Sequence, residues 1–150
     1  MTTPSNSTEW QPWQLRAWSA ISFSTVPVWL LLILLPRQRL TETVVKHTAP
    51  VHAGLGLTYV GLLVKASQSG GERVNFISGP SVARGFSRPE GTLVGWTHYL
   101  TFDLFVGEWI WRTAQEEGIN ARLACLLTWW FGPAGLTLFL WQLRRARAAG

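Results

Sequence analysis

Residues 17–36, AWSAISFSTVPVWLLLILLP, and residues 123–143, LACLLTWWFGPAGLTLFLWQL, decide the fold, because neither run contains a charged residue. At 20 and 21 residues, each matches the roughly 20 needed to cross about 30 Å of hydrocarbon. Working outward, the 18 residues between Lys46 and Lys65 carry no Asp, Glu, Lys or Arg and supply a third apolar stretch. A fourth, Gly91 to Trp111, is apolar and aromatic but holds His98, Asp103 and Glu108. The whole chain is 150 residues, 47% hydrophobic and only 14% charged, against about 25% charge in an average soluble domain. The pattern predicts an all-α polytopic membrane protein, a four-transmembrane-helix bundle with spans at about 17–36, 48–66, 91–112 and 122–143.

The remaining segments follow from these spans. Residues 1–16 form an N-terminal interfacial segment with Trp10 and Trp13 at head-group depth, 67–90 a long loop, and 144–150 a basic C-terminal tail. The first 15 residues lack the basic start, apolar core and cleavage site of a signal peptide, so the first span is expected to act as a signal anchor. Pro27 should kink the first helix, and Gly132-Pro133 should break the last at mid-span. Gly54, Gly56 and Gly61 make the second helix the expected central packing element, since small residues let backbones approach closely in lipid. No internal repeat is evident, which weighs against a transporter built from inverted halves.

The net charge of +5 raises nucleic acid as a partner, but the cations flank spans instead of forming a patch. Arg16, Arg73, Arg84, Arg88, Arg144, Arg145 and Arg147 fall on the N-terminal side, and Arg37, Arg39, Lys46, Arg112 and Arg122 on the other. Seven against five predicts both termini in the cytoplasm of a multi-pass protein in a bacterial inner or photosynthetic membrane, with no nucleic-acid role. The basic tail would face anionic lipid head groups. Cys125 is the single cysteine, so neither an internal disulfide nor a cysteine zinc site can form, and no metal set is expected.

The third helix carries the chemistry. Asp103 lies near its centre, with His98 and Glu108 each roughly 7 Å away along the axis. An acid at that depth costs about 2.5–3.5 kcal/mol on insertion scales, so Asp103 must meet the protein interior, a partner or water. At 100° per residue, His98 and Asp103 point about 140° apart and cannot form a dyad on one undistorted helix. Each needs a partner elsewhere: for Asp103 an interhelical hydrogen bond to Tyr59, Thr58 or Thr128, or a functional role; for His98 a role as base or as ligand to a metal-centred pigment. Glu108 and Arg112 read as an interfacial i, i+4 ion pair, and His52 as satisfied near its helix start. Of the ten tryptophans, Trp10, Trp13, Trp18, Trp111 and Trp141 suit interfacial belts. Trp29, Trp96, Trp129 and Trp130, with Phe102 and Phe105 on the His98 face, are candidates to line a site for a long conjugated molecule.

The run Gly95-Trp96-Thr97-His98-Tyr99-Leu100-Thr101-Phe102-Asp103-Leu104-Phe105-Val106-Gly107, followed by Phe131-Gly132-Pro133-Ala134-Gly135, resembles the abscisic acid-deficient 4-like (neoxanthin synthase-like) family of small four-helix membrane proteins. Leu35-Pro36, Leu40-Thr41 and Pro50 extend the likeness over roughly residues 25–143. Plant members are plastid membrane proteins implicated in converting violaxanthin to neoxanthin, so the resemblance implies a carotenoid- or xanthophyll-binding protein that isomerises its ligand. Opening an epoxide to an allenic alcohol needs a base and an acid, and His98 and Asp103 are the expected catalytic pair. No cofactor is required by the sequence; a bound carotenoid, a chlorophyll-type pigment or lipid is what it could hold. The rival expectation is a non-catalytic transmembrane subunit of a larger photosynthetic pigment–protein or respiratory membrane complex.

Overall fold

The computed structural model describes residues 9–68 and 74–149. They form seven helices and, among the described residues, no strand: α1 (Pro12–Leu34), α2 (Arg39–Lys46), α3 (Ala49–Gln68), α4 (Gly79–Phe86), α5 (Pro89–Glu116), α6 (Arg122–Phe131) and α7 (Pro133–Ala149). The all-α expectation holds. By itself only α1, among the described helices, is both long and apolar enough to cross a membrane. α6 and α7 are 10 and 17 residues long, and α5 carries Asp103, Glu108 and Arg112 in its apolar stretch.

α1 starts five residues before the expected span. Pro12 occupies its first turn, where a missing N–H costs nothing, and the Gln11 N–H donates to Gln14 Oε1 at 2.6 Å. Trp13 therefore lies in the helix, beneath the Lys65 ammonium at 3.5 Å. α1 runs through Pro27 unbroken. Two short amphipathic helices occupy segments expected to be links. α2 buries Thr41 and Val45 while Leu40, Glu42 and Lys46 stay exposed, and α4 lies within the expected 67–90 loop.

The central packing element is α5, not α3. α5 buries Leu93, Thr97, Leu100, Leu104, Ile110, Trp111 and Ala114 and touches α1, α3, α4, α6 and α7. α3 buries only Leu55, and a Cβ on Gly54, Gly56 or Gly61 would meet nothing within 4 Å. The close glycine contacts lie elsewhere: Gly107 of α5 is pressed against the Trp29 ring, Gly95 against Phe86, and Gly135 against Thr128 and Ala124.

Cross-helix contacts set the directions. α1 and α5 run parallel, since Gln14 Nε2 donates to Glu90 Oε1 (2.6 Å) at one end and Trp111 Nε1 donates to the Pro36 carbonyl (2.7 Å) at the other. α3 runs against them, because His52 meets Glu108 while Tyr59 meets His98 and Lys65 meets Trp13. α6 also descends from the Trp111 end: Arg122 donates to the Leu34 carbonyl, Cys125 lies by the Gly107 carbonyl, and Gly132 reaches Asp103. Ten residues at 1.5 Å cover about 15 Å, half of the hydrocarbon depth.

The chain then doubles back. Gly132 takes a positive φ of 34° beside Pro133, and Gly135 packs onto the backbone of Thr128 and Ala124, which a straight helix would hold about 10 Å and more away. Phe139 meets Trp109 edge-on at 5.5 Å, and the Arg147 guanidinium donates twice to Glu117, at 2.8 and 2.6 Å. Glu117 lies just before α6, so α7 ends where α6 began. The single helix expected over 122–143 is instead a helical hairpin with its tip at Gly132, halfway down the bundle. Consequently Trp10 and Arg147, near the two ends of the described chain, lie at opposite ends of the bundle, not together.

Candidate functional site

Asp103 lies at the middle of the 28-residue α5, so the hairpin tip and the central acid meet at one level. A Cβ on residue 132 would stand 2.8 Å from Asp103 Oδ1, so glycine serves twice there, for its backbone conformation and for the carboxyl's approach. α7 begins at the next residue, placing the carboxyl beside the positive end of a helix dipole. The phenol of Tyr99, one turn earlier on α5, interacts with the Asp103 carboxyl and with the Gly132 backbone. Asp103 Oδ2 is buried and has no hydrogen-bond partner. An acceptor left open in such a place is costly, which makes it a group with capacity to bind or react.

Around this point the walls are aromatic. Trp29 is fully buried, stacked on Trp129 with ring centres 6.1 Å apart, and fills the space above Gly107. Its indole Nε1 is also buried without a partner. Trp96 is sandwiched between Trp18 (4.6 Å) and Tyr99 (5.5 Å), while its Nε1 donates to Ser22 Oγ at 2.9 Å. This stack leads from the N-terminal end of the bundle directly to Tyr99. Trp130 and Phe131, at the hairpin tip, are 64% and 63% exposed.

His98 is placed elsewhere. It is exposed on the α3 side of α5, with Phe102 at 4.7 Å and Tyr59 at 5.7 Å. Phe102 and Phe105 share that side and are more than half exposed. The expected pair of His98 and Asp103 is therefore not brought together, as their angular separation on one helix dictates. Of the six expected aromatic ligands, Trp29, Trp96, Trp129 and Trp130 border the Asp103 side, and Phe102 and Phe105 do not. None of Tyr59, Thr58 and Thr128 serves as the Asp103 partner: Thr58 and Thr128 return their hydroxyls to the carbonyls of Gly54 and Ala124.

A second polar cluster lies one and a half turns further along. Glu108 is 5% exposed; its Oε2 accepts from Thr48 Oγ1 at 3.0 Å, and its Oε1 lies 3.1 Å from His52 Nε2. The i+4 partner Arg112 is more distant, 4.0 Å from Oε2, and donates instead to the Val45 carbonyl at 2.8 Å. The expected interfacial pair of Glu108 with Arg112 persists only at this longer range, and Glu108 instead forms a buried clasp with Thr48 and with His52, which is satisfied across to α5 and not near its own helix start. Among the described residues, no group of three metal-ligating side chains converges.

The sequence and this geometry meet in one comparison. The family model described as ABA DEFICIENT 4-like matches residues 16–139. The chain belongs to the ABA4-like family. The ABA4-like match runs from the second turn of α1 past the hairpin tip to Phe139, so it takes in Tyr99, Asp103 and Gly132 together. It bears out the resemblance read from the third helix. No curated protein and no solved structure matches the chain.

Tyr99 and the hairpin are what the residue-by-residue reading missed. The signals were present: Tyr99 stands four residues before Asp103, and Gly-Pro-Ala-Gly divides the last apolar run into two short halves.

Proposed function

We propose that this ABA4-like chain is an integral membrane protein that binds a carotenoid or xanthophyll at mid-depth and isomerises it by proton transfer at Asp103 and Tyr99. The observation that carries the reading is the buried, unpartnered Oδ2 of Asp103 beside a phenol, at the tip of a hairpin walled by tryptophan. A membrane setting is supported by the outward display of Phe23, Leu57, Phe102, Phe105, Trp130 and Phe131, all more than half exposed, while Asp103 and Glu108 turn inward.

In that setting α1, α3 and α5 cross, and α6–α7 enters and leaves on one side. Irregular backbone at depth is tolerated where protein covers it, and Gly132 is buried. Three crossings separate the termini and move Arg144, Arg145 and Arg147 to the side of Arg37, Arg39, Lys46, Arg112 and Arg122. Arg16, Arg84 and Arg88 remain opposite, with Lys65 at a span end and Arg73 outside the described residues, so the cation excess favours a cytoplasmic C-terminus and an external N-terminus.

The chemistry balances without a cofactor, since an epoxide and its allenic alcohol are isomers. The Asp103 carboxylate removes a proton from the polyene carbon next to the epoxide, the C–H electron pair becomes the second double bond of the allene as the adjacent carbon–oxygen bond breaks, and the Tyr99 phenol protonates the released oxygen. Proton return from Asp103 to Tyr99 restores both groups. The exposed Trp130 and Phe131 offer flat apolar surface for a polyene at that depth.

The test uses the full chain purified in mild detergent, incubated with an epoxy-carotenoid and followed by pigment chromatography. Conversion is expected to fall about 10²- to 10⁴-fold in Asp103→Asn and in Tyr99→Phe, and to persist in His98→Ala. Unchanged conversion in Asp103→Asn would overturn the mechanism. Co-purification with a pigmented complex, with all three variants harmless, would instead favour the non-catalytic subunit.

A further inference from the structure

At the end of the bundle where α6 begins, a cavity of about 260 Å³ opens between the α1–α2 link, the last turns of α5 and the first turn of α6. Its inner wall is apolar and well buried: Leu32, Trp111, Ala114, Ala121 and Cys125. Its rim is polar, with Arg37, Arg122, Gln115 and Asn120, and it includes no carboxylate. The Arg122 guanidinium donates to the Leu34 carbonyl, at 3.3 Å, and neither it nor Arg37 pairs with an acid among the described residues. The α6 N-cap, Ala121, offers no side-chain acceptor, and of the first-turn N–H groups that of Arg122 donates to Asn120 Oδ1 at 3.3 Å. An adjoining cavity shares Arg37 but sets Glu42 and Glu116 against Arg37, Lys46 and Arg112, so carboxylates offset most of its positive charge. Of the two, the first sets guanidinium groups over an apolar floor with no carboxylate in its lining.

We infer that this cavity is a binding site for the phosphodiester head group of an anionic phospholipid. A guanidinium meets phosphate oxygens through paired N–H donors, and two of them set over an apolar wall suit an amphiphile whose charge stays at the rim while its glycerol and upper chain carbons enter. The position fits: α1 ends at Leu34, and the cavity lies level with Pro36 and Arg37, where hydrocarbon gives way to head groups. The site is distinct from Asp103, which lies about 15 Å deeper at the far end of α6. The inference rests on the membrane reading above, but not on the proposed chemistry.

The test is retention of lipid by the full chain, carried through nanodiscs of phosphatidylcholine mixed with phosphatidylglycerol into detergent and weighed by native mass spectrometry. One phosphatidylglycerol is expected to remain on the wild-type chain. Its affinity should drop roughly 10- to 30-fold in the double variant Arg37→Gln/Arg122→Gln, at about a factor of five per cation near the membrane surface. Arg39→Gln, on the exposed side of α2 and outside the cavity, should keep it. Equal retention by the double variant, or of phosphatidylcholine by the wild type, would overturn the site, as would full displacement by inorganic phosphate, which would mark a free-anion site. Carbonate extraction of the same membranes separates the failures: a chain that washes off removes the membrane reading, and one that stays without selective lipid removes only this site.

Discussion

Asp103 and Glu108 stand on one helix, five residues apart, and face different neighbours in opposite states of satisfaction. Glu108 is closed in by Thr48, His52 and, at longer range, Arg112, all within the bundle. Asp103 faces the hairpin tip, with one oxygen that nothing satisfies. A carboxylate whose oxygens are already engaged holds helices together; one left open has capacity for something the chain does not itself supply. On the proposed function, the end of the bundle is structural and the chemistry belongs to its middle.

The sharpest way to break that comparison is at Glu108. Replacing it with alanine leaves the Thr48 hydroxyl and the His52 ring facing a buried gap and unfastens the start of α3, which has only Leu55 buried besides. The expected loss is about 3 kcal/mol, in the lower part of the range for removing one partner of a buried pair, since Arg112 and His52 retain some solvent. Denaturant-driven unfolding followed by helical circular dichroism measures it. A loss no larger than that of an exposed substitution would show that the clasp does not hold α3.

Gly132→Ala comes next, because it acts on both the backbone and the open carboxyl. Its φ of 34° disfavours a side chain, and the new methyl would press on Asp103 Oδ1 at 2.8 Å. A cost of about 1–3 kcal/mol is expected, with loss of any ligand held at Asp103. Thermal unfolding and pigment content read the two effects separately. Pigment retention at the wild-type level in a destabilised Gly132→Ala protein would place the ligand away from the tip.

Asp103→Asn should affect stability less than either. The amide keeps the shape and removes an unsatisfied acceptor's charge, so the change in unfolding free energy should stay below about 1 kcal/mol, in either direction. A protein that folds as well as the wild type but no longer converts an epoxy-carotenoid would sharpen the contrast with Glu108. A destabilisation as large as that of Glu108→Ala would erase it.

How much of this could be read in advance depends on the range of the interaction involved. Helix content follows from hydrophobic runs, and the inward placement of Asp103 follows from the cost of an acid in an apolar surrounding, both properties of a single segment. The 140° between His98 and Asp103 is fixed by helical pitch, and the structure keeps it. The hairpin was not legible as such, because Gly132-Pro133 is compatible with a kink or a reversal, and the choice is made by Gly135 seating on Thr128 and Ala124. Charge sidedness then went astray with it, since three arginines changed ends. Likewise the glycines of α3 satisfy a rule about close packing but face open space, whereas Gly107 meets Trp29 through a contact 78 positions away in the chain.

The smallest expected effect is at the surface, and it bounds the others. Glu42 on α2 is paired with Lys46 one turn later at 2.6 Å, and that ammonium holds its carboxyl below the ordinary value of 4.5. A carboxyl with a lowered folded-state value adds stability above its unfolded value and loses it as pH falls through the folded one, so any contribution should vanish only in acid below 4.5. Both side chains are more than half exposed, at 55% and 61%, where water and salt screen the pair. Glu42→Gln should therefore leave the thermal midpoint at neutral pH unchanged, at low and at high salt. A measurable drop there would mean that α2 is held by charge and not by Thr41, whose hydroxyl donates to the Leu35 carbonyl, and by the buried Val45. The contrast between saturated and open carboxylates would then have to extend beyond the interior of the bundle.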